Sequence, residues 1–96
     1  MNNWKYEINI KQHLIADGDF ADFAESANKI AAEFRKLPEQ LYKDDFTTQD
    51  DLWFLESCNE QDYEVYESVQ DYIDEMNYRL NSLYDFADRE RIWLGL

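Results

Sequence analysis

Residues 62–87 read DYEVYESVQDYIDEMNYRLNSLYDFA, and their apolar spacing decides the architecture. Tyr66, Val69, Ile73, Met76, Leu80, Leu83 and Ala87 recur at alternating intervals of three and four. That is a heptad seam along one side of a helix about 39 Å long at 1.5 Å per residue. Such a seam needs a partner surface. It is either the chain's own core, packed on another helix and a sheet, or a homodimer through part of the same helix.

The flanking segments supply a core. C-terminal to the helix, Ile92, Leu94 and Leu96 alternate with Trp93, so a strand follows. At the other end Trp4, Tyr6, Ile8 and Ile10 alternate with Lys5, Glu7 and Asn9, a second strand with one buried face. Lys11 to Ala16 fits either state, and Asp17-Gly18 is a turn signal. Asp19 then reads as an N-cap with Asp22 three residues on. Phe20, Phe23, Ala24, Ala27, Ile30, Ala31 and Phe34 form the apolar stripe of a helix reaching about Lys36. Leu37-Pro38 ends it, because a residue before proline is pushed out of the helical region. Residues 38–46 connect, with room for one helical turn. Thr47 or Thr48 is placed to cap a short helix carrying Leu52, Trp53 and Leu55, which ends near Cys58-Asn59. An isolated pair of strands is marginal in water, so the economical solution pairs the first strand with the last and lays the helices on the sheet. The expectation is a single α+β domain over residues 1–96, three main helices on a small sheet built from the N- and C-terminal strands.

Composition agrees with a folded domain. Hydrophobic residues make 45% of the 96 and aromatics 17%, too many for a disordered acidic chain. Cys58 is the single cysteine, so no internal disulfide forms, which fits a reducing compartment. No stretch approaches a membrane span, and the N-terminus lacks the basic-then-apolar form of a signal peptide; the cytoplasm is the expected location. The net charge of −13 argues against direct binding to nucleic acid or to an anionic membrane and favours a basic partner.

That charge is concentrated. Residues 37–78 hold thirteen acids against the single base Lys43, and the rest of the chain is almost neutral. On the long helix Glu60, Glu64, Glu67, Asp71, Asp74 and Asp85 fall opposite the seam, with Tyr78 among them. Their step resembles a run of backbone phosphates. An amphipathic helix needs some polar face, which is the plain alternative. Ordinary polar faces, however, interleave Lys or Arg and gain about 0.2–0.5 kcal/mol per opposite-charge pair. Here no Lys or Arg occurs between Lys43 and Arg79.

Chemistry finds little footing. Lone His13 has no partner at a motif spacing. Cys58 reads as a small buried hydrophobe rather than a reactive thiol. Asp17-Gly18-Asp19 lacks the ligand pattern of a calcium loop. Asp44-Asp45 and Asp50-Asp51 specify no metal, and no cofactor motif is present. Tyr63, Tyr72 and Tyr78 flank the seam or lie on the polar side, where tyrosines beside carboxylates suit a protein interface.

The ends Trp4-Lys5-Tyr6-Glu7-Ile8 and Tyr84-Asp85-Phe86-Ala87-Asp88-Arg89-Glu90-Arg91-Ile92-Trp93-Leu94 resemble those of a scattered group of small acidic bacterial and phage proteins. Those open on a Trp-x-Tyr strand and close on a Tyr-Asp-x-Ala-Asp…Arg-Ile/Val-Trp pattern. The resemblance covers about a fifth of the chain, implies the fold and transfers no sites. In size, acidity and acidic helix ridge the chain is also similar to phage-borne DNA-mimic inhibitors of the anti-CRISPR and anti-restriction kind. The expected role is therefore occlusion of the basic groove of a nucleic-acid-handling protein. Glu60, Glu64, Glu67, Asp71 and Asp74 would carry it, supported by Asp44, Asp45, Asp50, Asp51 and Glu56. The alternative is a non-enzymatic adaptor or antitoxin-like protein whose contacts are mainly apolar, through side chains such as Tyr78 and Trp53. A small hydrolase or metal-dependent enzyme comes third.

Overall fold

The computed structural model describes residues 4–10, 20–59 and 69–95. In chain order these form β1 (Tyr6–Glu7), α1 (Phe20–Arg35), a single 3-10 turn (Glu39–Leu41), α2 (Phe46–Glu56), α3 (Val69–Arg89) and β2 (Ile92–Trp93). The described residues are thus predominantly helical, and the sheet is a minimal one of two parallel strands.

The first strand does pair with the last. Tyr6 is in register with Ile92 and Glu7 with Trp93. The backbone contact runs beyond the regular pairing, from Lys5 N to Arg91 O at 2.9 Å, through Ile8 N to Trp93 O at 2.9 Å, to Ile10 N to Leu94 O at 3.0 Å. Alternation puts Ile8 and Ile10 into the core, as the period of two requires. Trp4 departs from that expectation: it lines an open cleft with Tyr84 and Asp88 of α3 and is 43% exposed.

α1 follows its stripe. Phe23, Ala24, Ala27, Ile30, Ala31 and Phe34 are all buried, and Leu37 ends the helix inside the core. α2 lies between α1 and α3 and packs on both. Phe34 and Phe86 bring α1 and α3 together, with ring centroids 6.5 Å apart. On α3 the described seam positions Ile73, Met76, Leu80, Leu83 and Ala87 are buried within the same chain. The core arc is wider than the seam alone and also takes Tyr72 and Phe86, an apolar stripe of the breadth a globular core needs. Tyr72, expected beside the acids, is therefore a core residue.

The expected start of the long helix near Asp62 lies outside the described residues. So do His13, the Asp17-Gly18 turn, the Asp19 cap, Tyr63 and Tyr66. The far end reaches Arg89, two residues beyond Ala87. Arg91 then adopts φ +58°, the left-handed conformation that stops a helix and turns the chain into β2. For a residue with a Cβ that conformation costs about 1–2 kcal/mol. Gly95 uses the same region at φ +58°, where a Cβ would meet Ile8 O at 3.1 Å.

Candidate protein-binding face

α2 begins one turn earlier than the threonines suggested. Asp45 is its N-cap and accepts a bond from Thr48 N at 3.1 Å. Thr48 is buried, so it can receive the cap but cannot be it. The other end is closed from outside the helix. Asn28 of α1 donates through Nδ2 to Leu55 O at 2.7 Å and to Glu56 O at 3.2 Å, the carbonyls a helix C-terminus leaves without partners. Gln49 ties α2 back to the 3-10 turn through the carbonyls of Tyr42 and Lys43.

Held this way, α2 is turned partly inside out. It buries the polar Thr48 and the charged Asp51 together with Leu52 and Leu55. It turns Phe46 and Trp53 outward, 80% and 62% exposed. Phe46, Asp50 and Trp53 stand at intervals of four and three and so share one outward stripe.

Arginines account for the buried acid and for most of the other α2 carboxylates. Arg79 of α3 donates through one terminal nitrogen to Asp50 Oδ2 at 2.6 Å and to Asp51 Oδ1 at 3.0 Å, and through Nε to Glu75 Oε1 at 3.1 Å. Its guanidinium also lies over the Phe54 ring, 5.0 Å from the centroid. Burial works to lower the Arg79 pKa, but the three carboxylates outweigh it and hold it above the ordinary value. Arg35 of α1 grips Glu56 through both oxygens at 2.9 Å, and that hydrogen bonding raises its pKa. Arg89 reaches Asp45 at 2.7 Å. Desolvation pushes the Asp45 carboxyl upward, yet the bonds from Thr48 and the Arg89 charge bring it below its usual range.

The ten sequence-chosen acids therefore divide. Asp45, Asp50, Asp51 and Glu56 are each paired with an arginine from outside residues 37–78, which corrects the expectation of an unpaired acidic surface there. Asp51 is 2% exposed and cannot meet a partner; its Oδ2 has no hydrogen-bond partner at all. Asp44, Asp71 and Asp74 are exposed, the last accepting from Gln70 at 2.8 Å along its own helix. Asp85 and Tyr78 are also exposed on that face of α3. Glu60, Glu64 and Glu67 lie outside the described residues.

Of these pairs only Glu75 and Arg79, four apart on one helix, could be read from spacing. The others join residues distant in sequence. The sequence reading also missed Phe46 as an outward residue, since nothing local marks which side of α2 meets the core.

Three open clefts of about 300, 470 and 340 Å³ lie along the sheet, α1 and the end of α3, and their described linings include none of Asp44, Asp45, Asp50, Asp51, Glu56, Asp71 and Asp74. Among the described residues no group of three or more His, Cys, Asp or Glu is placed to hold a metal ion. Cys58 is buried, with Sγ 3.3 Å from Phe54 O. No helix among the described residues is long and apolar enough to cross a membrane. Comparison with protein-family models, with curated proteins and with solved structures finds no match.

Proposed function

We propose that the chain is a non-enzymatic binding protein whose acidic face occupies the basic, nucleic-acid-binding surface of another protein, as a DNA mimic of the anti-CRISPR or anti-restriction type does. One observation carries this reading. Arg79, the single cation on described α3 before Arg89, is drawn off the surface onto Asp50, Asp51 and Glu75. On the outer side of α3 Asp71, Asp74 and Asp85 are exposed, while Arg79 reaches across to α2. Because arginine pairs thin the charge of α2, the reading leans on Asp71 and Asp74 of α3, together with Glu60, Glu64 and Glu67 earlier in the chain. Association would be steered by long-range attraction and weakened by salt. A partner of this sort shares the compartment of nucleic acids, which for a bacterial or phage protein is the cytoplasm.

The test captures partners from a bacterial lysate at low and high salt, then titrates the protein into each partner's complex with labelled duplex DNA. Displacement of the duplex is expected, together with its loss when Glu60, Glu64, Glu67, Asp71 and Asp74 are all changed to Lys in a chain that still folds. Displacement that survives those five changes overturns the proposal. The adaptor alternative draws instead on the exposed Tyr78 and Trp53, and it expects a shallow salt dependence.

A further inference from the structure

Building on the acidic-face reading, we infer that the outer surface where α2 meets α3 is a docking site for a cationic amphipathic helix of the partner, with aromatic anchors supplied by Phe46, Trp53 and Tyr78. Five large hydrophobic side chains are exposed among the described residues, and these three sit on α2 and α3. The remaining two, Trp4 and Trp93, are at the sheet. Isolated exposed aromatics are ordinary on protein surfaces, so their arrangement decides the matter.

The arrangement is ordered by the salt bridges. Asp45 contacts Arg89 and Asp50 contacts Arg79, so α2 and α3 run antiparallel. Tyr78 precedes Arg79 by one residue, about 100° further round the helix and away from the core. It is 65% exposed and directly precedes the arginine that holds Asp50. Phe46 and Trp53 are seven residues apart, about 10.5 Å along the axis, which is two turns of any helix laid beside them. Aliphatic side chains at positions i and i+7 of a docked helix would meet both.

Charge selects the kind of helix. Asp50, already paired with Arg79, lies within the aromatic stripe, Asp71 and Asp74 are exposed on α3, and residues 37–78 as a whole carry thirteen acids against one base. An anionic or neutral helix would be repelled or left uncompensated, whereas one with Lys or Arg beside its aliphatic positions satisfies both features. An extended basic strand would match the charge but not the two-turn spacing of the anchors. α2 also exposes two of its three large aromatics, Phe46 and Trp53, while burying Thr48 and Asp51.

The experiment uses two synthetic peptides of equal length and equal Lys content. One places Leu at i, i+3, i+4 and i+7; the other has Ser at those positions. Binding to the intact protein is followed by heteronuclear NMR, with the Trp53 indole N–H as reporter, at low salt. The Leu peptide is expected to bind at least about tenfold more tightly than the Ser peptide, an advantage a single well-buried anchor can supply. It should also shift the Trp53 resonance and lose that advantage in Trp53→Ser and Phe46→Ser. Equal binding of the two peptides with an unmoved Trp53 signal overturns the docking site while leaving the acidic face standing. Failure of both peptides to bind, or binding indifferent to Asp71→Lys with Asp74→Lys, overturns the acidic-face reading and the docking site with it.

Discussion

Among the described residues Arg79 pairs with more carboxylates than any other basic side chain. It compensates Asp51, which is almost wholly buried, and it joins α2 to α3. Removing one member of a buried pair leaves the other charge without compensation, at about 3–5 kcal/mol. Arg79 retains 21% exposure of its side chain, so Arg79→Ala is expected near the lower end, about 3 kcal/mol, read from urea unfolding. Arg35 and Glu56 are each more than a third exposed, and solvent screens them. Arg35→Ala should therefore cost about 1 kcal/mol or less. Equal losses in the two variants would mean that Asp51 is compensated in some other way.

Elements differ in how far they could be read from their residues. α1 and the described part of α3 bury the stripes that their spacing marks, because helical period and apolar pattern agree there. α2 was legible only as a helix. Its orientation is fixed by Arg79, twenty-eight positions after Asp51, and by Asn28, twenty-seven before Leu55, and no local pattern encodes such pairings. The same distance hid the arginine pairs that thin the acidic surface. Its cap was missed for a related reason: the two threonines drew the reading past Asp45, which accepts from Thr48 N and also meets Arg89. Because the folded-state pKa of Asp45 is lowered from 3.8, its contribution is present above that value and is lost as pH falls through the lowered one. The stability difference between the parent and Asp45→Asn should accordingly be largest near neutral pH and shrink as pH falls below 3.8. A difference that stays constant over that range would rule out the carboxylate as the source.

For the whole molecule, internal pairing changes where the charge sits but not its sum of −13. Like-charge repulsion across such a surface acts over many ångströms, while the arginine pairs act at contact distance. Raising ionic strength from about 0.01 to about 0.15 M shortens the screening length from about 30 to about 8 Å and should weaken the repulsion more than the pairs. The melting temperature is therefore expected to rise with salt, as followed by circular dichroism; a fall would show the contact pairs to be dominant. Partner binding should move in the opposite direction, so stability and affinity respond to the same variable with opposite signs.

The parallel ladder between the two ends has a further consequence for how the protein comes to be made. The amides of Ile8 and Ile10 find their carbonyl partners on Trp93 and Leu94, more than eighty positions later in the chain. The three described helices are all synthesised before that contact can close. On a ribosome β1 therefore waits for β2, and its two isoleucines stay without a seat until the segment after α3 has emerged.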